Sequence, residues 1–183
     1  MKGAFSSPDE VLEREIMNHL FPDTTYGCES GGDPKNIPDL TYENFLNFHR
    51  TYYHPSNSYI YLYGNMDMEE KLAFLDEHYL SHFDYLDVDS VIQEQKAFGA
   101  CRDVTLEYPV AENEGEEDNT YLSYNMVVGN AADSQMAMAF EVLDYALLSA
   151  PGAPLKQALL DVKAGKDVYG SYDDGILQPY FTV

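Results

Sequence analysis

The chain has 183 residues, 45% of them hydrophobic, and a formal net charge of −22 from 32 acids against 10 bases. That length and apolar content suffice for a buried core, in one domain or two small ones, and exclude a disordered chain. The acidity repels phosphate backbones and anionic headgroups, and no run reaches the ~20 apolar residues of a membrane span, so neither nucleic acid nor membrane is expected as a partner.

In chain order, Ser7-Pro8-Asp9-Glu10 predicts a helix start: a capping serine, proline at the first helical position, and acids against the helix dipole. Val11, Leu12, Ile16 and Leu20 form its apolar stripe, and Phe21-Pro22-Asp23 stops it. Residues 23–40 read as a loop, in which Ser30-Gly31-Gly32-Asp33-Pro34 is a tight turn without the lysine-serine pair or Gly-x-Gly-x-x-Gly of a phosphate cradle. Thr41 caps a second helix carrying Phe45, Phe48 and Tyr52, ended by the turn His54-Pro55-Ser56-Asn57. The span 59–63 alternates Ile60 and Leu62 with three tyrosines and predicts a strand with one dry and one amphipathic face. After Gly64-Asn65, Asp67 and Glu70 open a helix expected to reach Phe83, with Leu72, Leu75, Tyr79 and Phe83 on one side.

Residues 84–99 are polar, acidic and aperiodic, and are expected to be a linker. A strand over 101–110, with Val104, Leu106 and Tyr108 alternating, is expected to pair antiparallel with 121–128. The five acids of 111–119 then form a solvated hairpin loop, which lacks calcium-loop spacing. A helix over 134–148 carries Met136, Phe140, Leu143 and Leu147, and the run Ser149-Ala150-Pro151-Gly152 breaks it before a short restart. The chain closes in an extended run at 180–183, and a strand cut there would leave edge amides unpaired.

The residues Phe48-His49-Arg50-Thr51-Tyr52-Tyr53-His54-Pro55-Ser56-Asn57 and Tyr63-Gly64-Asn65 resemble the pitrilysin or insulinase family of zinc metallopeptidases. The preceding Phe21-Pro22-Asp23-Thr24-Thr25-Tyr26-Gly27, Ser30-Gly31-Gly32-Asp33-Pro34 and Ile37-Pro38-Asp39-Leu40-Thr41 narrow the likeness to its presequence-protease branch, as do Met1-Lys2-Gly3 and Ser6-Ser7-Pro8-Asp9. The likeness is weaker after Gly64 and returns from Tyr121 to Phe181. The family carries zinc on an inverted His-x-x-Glu-His helix and a later glutamate. Neither is present, and in the family pattern that glutamate immediately precedes Met-Lys-Gly. The resemblance therefore implies an internal piece of a longer protease whose zinc ligands lie upstream, inactive by itself.

The expected fold class is α+β, with mixed, mostly antiparallel sheets and helices packed on one face. The expected division is 1–83 as the C-terminal part of the zinc-bearing domain, 84–100 as an acidic linker, and 101–183 as the N-terminal part of a following non-catalytic domain. The implied function of the whole is hydrolysis of short unstructured peptides, basic ones included, in a closed chamber by a zinc-activated water. The rival is a non-catalytic peptide-binding or structural subunit of the same fold. Expected partners are peptides, the remaining domains of the longer enzyme, and further copies of the chain through self-association. Cys28 and Cys101, 73 positions apart without metal or redox spacing, read as free thiols of a reducing, cytoplasmic compartment.

Of the five histidines, His78 and His82 are four apart on the expected helix, which would bring both rings to one face. Tyr79 stands where a zincin carries its glutamate, so the pair is expected to border the packed face. His49 and His54 flank a helix end and are expected to cap it. No catalytic, cofactor-binding or metal-binding residue is assigned to this chain.

Overall fold

A computed structural model describes residues 7–110, 115, 117 and 119–183. Most of the expected loop over 111–119, and the first six residues, lie outside the described residues. Among the described residues there are five α-helices, α1 (Pro8–Leu20), α2 (Tyr42–Tyr52), α3 (Met68–His78), α4 (Ser134–Asp144) and α5 (Pro154–Asp161). Three short strands, β1 (Asn125–Val127), β2 (Ser171–Asp173) and β3 (Tyr180–Thr182), form one antiparallel sheet in the order β1-β3-β2, and the fold is α+β. Contacts divide the chain into two units. One comprises the residues up to Gly31 together with Ile92–Val183, and the other is Gly32–Val91.

In the first unit, β3 pairs on both sides: Phe181 stands opposite Met126 of β1 and Tyr172 of β2. The closing run is thus the centre of the sheet rather than an unpaired edge, and Val183 continues it by exchanging both backbone bonds with Tyr124. Phe181 is buried with Val128, Leu148 and Val168, and Phe140 of α4 covers this face, stacking on Tyr172 at 5.4 Å and meeting Phe181 edge-on at 6.1 Å. Asp133 caps α4 by accepting the N–H groups of Gln135 and Met136. Its last turn, Tyr145–Ser149, widens into a π turn, in which Leu148 is buried. Strand alternation turns Tyr180 to the other side, where Phe21 meets its ring at 6.2 Å. Phe21 is fully buried, and it ends α1, which starts as predicted with Ser7 Oγ accepting the Glu10 N–H.

The expected partner of 121–128 is different. Among the described residues, 101–110 carry no ladder bonds, and their contacts with the next segment include a ring contact of Tyr108 with Tyr121 and a hydrogen bond from the Tyr108 hydroxyl to the Asn119 carbonyl. β1 pairs with β3 instead, which sets Met126 opposite the buried Phe181.

Segment 84–100 forms no helix or strand, yet side chains hold it. Ser56 Oγ accepts the Leu86 N–H at 3.1 Å and Asn57 Oδ1 accepts the Ser90 hydroxyl at 2.6 Å. Further on, Gln95 is the one buried polar side chain described. Its Oε1 accepts the Asp23 N–H at 2.9 Å while its Nε2 donates to Asp23 Oδ2 at 2.7 Å. The Gln178 amide meets the Gln95 peptide the same way, accepting its N–H and donating to its carbonyl.

In the second unit, Thr41 Oγ1 accepts the Asn44 N–H and Asp67 Oδ1 the Glu70 N–H, so both helices start at their predicted caps. No described side chain from Gly32 to Val91 is buried. The stripe Phe45, Phe48 and Tyr52 forms as expected and is exposed. The expected strand over 59–63 has no paired neighbour among the described residues.

Replacing Gln95 by Leu keeps much of the packing volume but removes the acceptor of the part-buried Asp23 N–H and a donor to the Asp23 carboxylate. Urea unfolding of the first unit is expected to show a loss of about 1–3 kcal/mol. An unchanged midpoint would mean that water replaces the clamp at no cost.

Candidate functional site

The histidines serve the backbone. His54 Nδ1 accepts the Ser56 N–H at 3.2 Å, which puts its own proton on Nε2 and caps the turn Pro55–Asn57. The expected role at the end of α2 belongs to another residue: Asn57 Nδ2 donates to the Tyr52 carbonyl at 3.0 Å. His49 stacks on Tyr53 with centroids 4.8 Å apart.

His78 and His82 do not share a helix face. α3 ends at His78 because Tyr79 leaves helical geometry, at φ −140° and ψ −66°, and Leu80–His82 is a separate 3-10 turn. Past the break Tyr79 packs edge-on against Phe83 at 5.0 Å. The His78 ring lies against Phe74, and His82 Nδ1 donates to the Tyr79 carbonyl at 3.3 Å. Among the described residues no three His, Cys, Asp or Glu side chains are grouped to hold a metal ion.

The first unit has a cleft of about 450 Å³, lined in part by Leu148, Ala153, Lys156, Leu160, Val168 and Tyr169. Its cation is engaged, since Lys156 Nζ lies 2.9 Å from Asp167 Oδ1. The Lys156 hydrogen bond, the Val168 N–H and the lysine charge together hold the Asp167 carboxyl below its ordinary range. Other perturbed groups sit around the sheet. Burial pushes the Asp144 carboxyl up, and its buried Oδ1 has no hydrogen-bond partner. The Tyr172 hydroxyl is likewise unpartnered, its phenol raised by burial and then by the charges of Asp174, Glu141 and Asp133. Burial, the Asp173 charge and the hydrogen bond to Asp173 push Tyr180 up to about 12. None of these groups is aligned as a nucleophile with a base, and each is explained by the packing of the sheet.

The second unit offers a surface rather than a pocket. Tyr59, Tyr61 and Tyr63 are 105%, 85% and 84% exposed, and Ile60 is half exposed beside them. The sequence signal for this surface was compositional: from Thr51 to Met66 no aspartate, glutamate, lysine or arginine occurs.

A family model described as the Peptidase M16 inactive domain matches residues 39–183. A protein of Clostridium perfringens (strain 13 / Type A) named Protein HypA is 50% identical over all 183 residues, which make up 19% of its length. Presequence protease 1, chloroplastic/mitochondrial, of Arabidopsis thaliana is 38% identical over 187 residues, covering 100% of this chain and 17% of that protein. The mitochondrial presequence protease of Xenopus laevis is 34% identical over 168 residues, covering 91% of this chain and 16% of its own length. The chain thus spans about a fifth or less of these relatives.

A raised phenol pKa means that the fold favours the neutral form of Tyr180. The stability this contributes is fully present below pH 10, the unfolded value, and is lost as pH rises from 10 through about 12. Difference titration of phenolate absorbance between the chain and Tyr180→Phe is expected to remove one ionisation near pH 12. A missing component near pH 10 would show that Tyr180 is freely solvated.

Proposed function

This chain belongs to the M16 peptidase family, the pitrilysin and insulinase enzymes, and from that premise we propose that it is an internal scaffold piece of a zinc-dependent metalloendopeptidase that degrades short unstructured peptides in a closed chamber. The observation that carries this reading is the match of 145 residues, 39–183, to the family's inactive domain. The donors described here do not fit zinc: His54 Nδ1 already accepts a backbone N–H, and the break at Tyr79 separates His78 from His82. We read the zinc ligands of the longer protein as lying upstream, and assign no hydrolytic step to these side chains. We read 1–83 as the end of the zinc-bearing domain, 84–100 as the acidic connection and 101–183 as the start of the non-catalytic domain.

Basic peptides suit a protein with a net charge of −22, because an acidic wall concentrates cations. A reducing, cytoplasmic location is supported by Cys28 and Cys101, which are exposed and unpaired. Among the described residues no helix is long and apolar enough to cross a membrane. The rival reading, a peptide-binding or structural subunit, draws on the same inactive-domain description.

Peptide cleavage and elemental analysis separate the two readings. The 183-residue chain is expected to retain no stoichiometric zinc and to cut none of a panel of unstructured basic and neutral peptides. The full-length C. perfringens relative is expected to cut them and to stop when a chelator removes its zinc. A relative that binds the peptides without cutting them would favour the subunit reading.

Isolated chain is also expected to self-associate through the exposed Phe45, Phe48 and Tyr52 stripe of α2. Sedimentation at high salt should show mass rising with concentration, since salt screens the repulsion beyond ~8 Å or less. A strict monomer throughout would refute it.

A further inference from the structure

Among the described residues, three histidine rings make hydrogen bonds through Nδ1, and their chemistry is not alike. His19 meets the Glu15 carbonyl at 2.8 Å and His82 the Tyr79 carbonyl at 3.3 Å, so both rings donate, and a second ring proton leaves either bond intact. His54 instead meets the Ser56 N–H, so its Nδ1 accepts, and the bond exists only while that nitrogen is bare. Imidazole is the side chain whose charge ordinarily changes between about pH 5 and 8.

The turn that His54 caps holds more than itself. Ser56 Oγ accepts the Leu86 N–H, Asn57 Oδ1 accepts the Ser90 hydroxyl, and Asn57 Nδ2 donates to the Tyr52 carbonyl at the end of α2. Phe83, from which the stretch 84–90 departs, meets the His54 ring edge-on at 5.3 Å. We propose that His54 is a pH-sensitive catch: its neutral ring fixes the turn Pro55–Asn57 and with it the stretch 84–90, and its protonation releases both. The proton enters at Nδ1 and takes the lone pair that the Ser56 N–H used. Two N–H groups then point at one another, and the ring or the turn swings away.

The surrounding charges decide whether anything else holds the protonated ring. α2 and its end carry His49, Arg50, Tyr52 and Tyr53, the turn Leu80–His82 carries His82, and the stretch after Phe83 carries Asp84, Tyr85, Asp87 and Asp89. Arg50 opposes an added positive charge and the three aspartates attract it, but none of the described ion pairs includes His54. Attraction between exposed charges that are not in contact is weak and screened by salt, whereas protonation removes the Nδ1 acceptor altogether. Release therefore outweighs recapture. The catch acts on the shape of the chain and does not rest on the peptidase reading.

Nuclear magnetic resonance of the dilute, nitrogen-15-labelled 183-residue chain from about pH 8 to 5 tests this. Ser56→Ala gives the position of a Leu86 amide without its acceptor, and His54→Asn gives a cap that accepts the Ser56 N–H at every pH. As the His54 ring gains its proton, the Ser56 and Leu86 amides are expected to move together, Leu86 reaching its Ser56→Ala position with roughly a tenfold loss of exchange protection. In His54→Asn both are expected to stay in place. A Leu86 amide that stays fixed while the ring titrates overturns the proposal, as does one that moves equally in His54→Asn. Protection of Leu86 that rises on protonation also overturns it, because the aspartates would then tighten the stretch instead. Should His54→Asn not fold, the unaltered chain decides: the Leu86 transition must share the midpoint of the His54 ring nitrogens, and separate midpoints overturn the proposal.

Discussion

The first unit depends on one buried amide. Gln95 answers the α1 exit at Asp23 with a two-point contact through its side chain, and answers the β2–β3 connection at Gln178 with another through its peptide. Three stretches far apart in sequence are thereby held by groups that would otherwise be costly to bury. Tyr26 works alongside: its hydroxyl accepts the Leu177 N–H at 3.2 Å and its ring meets Phe21 at 5.9 Å. With these contacts in place Phe21 and Pro179 lose all contact with water, and Phe181 can be centred between two strands of three residues each. Strands that short carry few ladder bonds, so tertiary contacts rather than ladder length hold the sheet.

The second unit is held by a different kind of interaction. Its order comes from caps and turns: Thr41 and Asp67 at the helix starts, Asn57 at the end of α2, and His54, Ser56 and Asn57 around the turn that binds Leu86 and Ser90. Helices of 11 residues are marginal in water without packing, and here no side chain is buried. Local chemistry specifies where each element begins and ends, but the apolar surface that normally stabilises them has no cover in this unit. The same residues therefore form well-defined elements around no buried core.

What was legible in the sequence follows that distinction. Helix starts were readable because a cap is a contact over three residues: Ser7 with Glu10, Thr41 with Asn44 and Asp67 with Glu70 all form as read. Strand pairing was not readable, because alternation at 101–110 and 121–128 tells which face is apolar but not which neighbour arrives. β1 found Tyr180–Thr182, with Met126 opposite Phe181, 55 positions onward. The break at Tyr79 was hidden too, since apolar spacing continues smoothly to Phe83 and no proline or glycine marks the point where Tyr79 leaves helical geometry. The Gln95 clamp lay in a segment whose polarity looked like that of a free linker, and a lone glutamine carries no periodic signal. The histidine spacing misled for the same reason as the helix: i and i+4 describe one face only if the helix is unbroken.

The acidity carries structural information of its own. On α3, Glu69, Glu70, Asp76 and Glu77 lie along one face and Leu72 and Leu75 beside it, so the helix has a charged side and an apolar one. Asp84, Asp87 and Asp89 mark the next stretch as solvated in the same way. Between Arg50 and Asp67 the marking stops. A chain with 32 acids has no scarcity of charge to place there, and even one lysine at 60 or 62 would protect an open edge. The 51–66 span and the acidic stripes that flank it differ in one respect: carboxylates crowd α3 and the stretch after it, whereas the segment between them exposes tyrosines and isoleucine with no charge beside them.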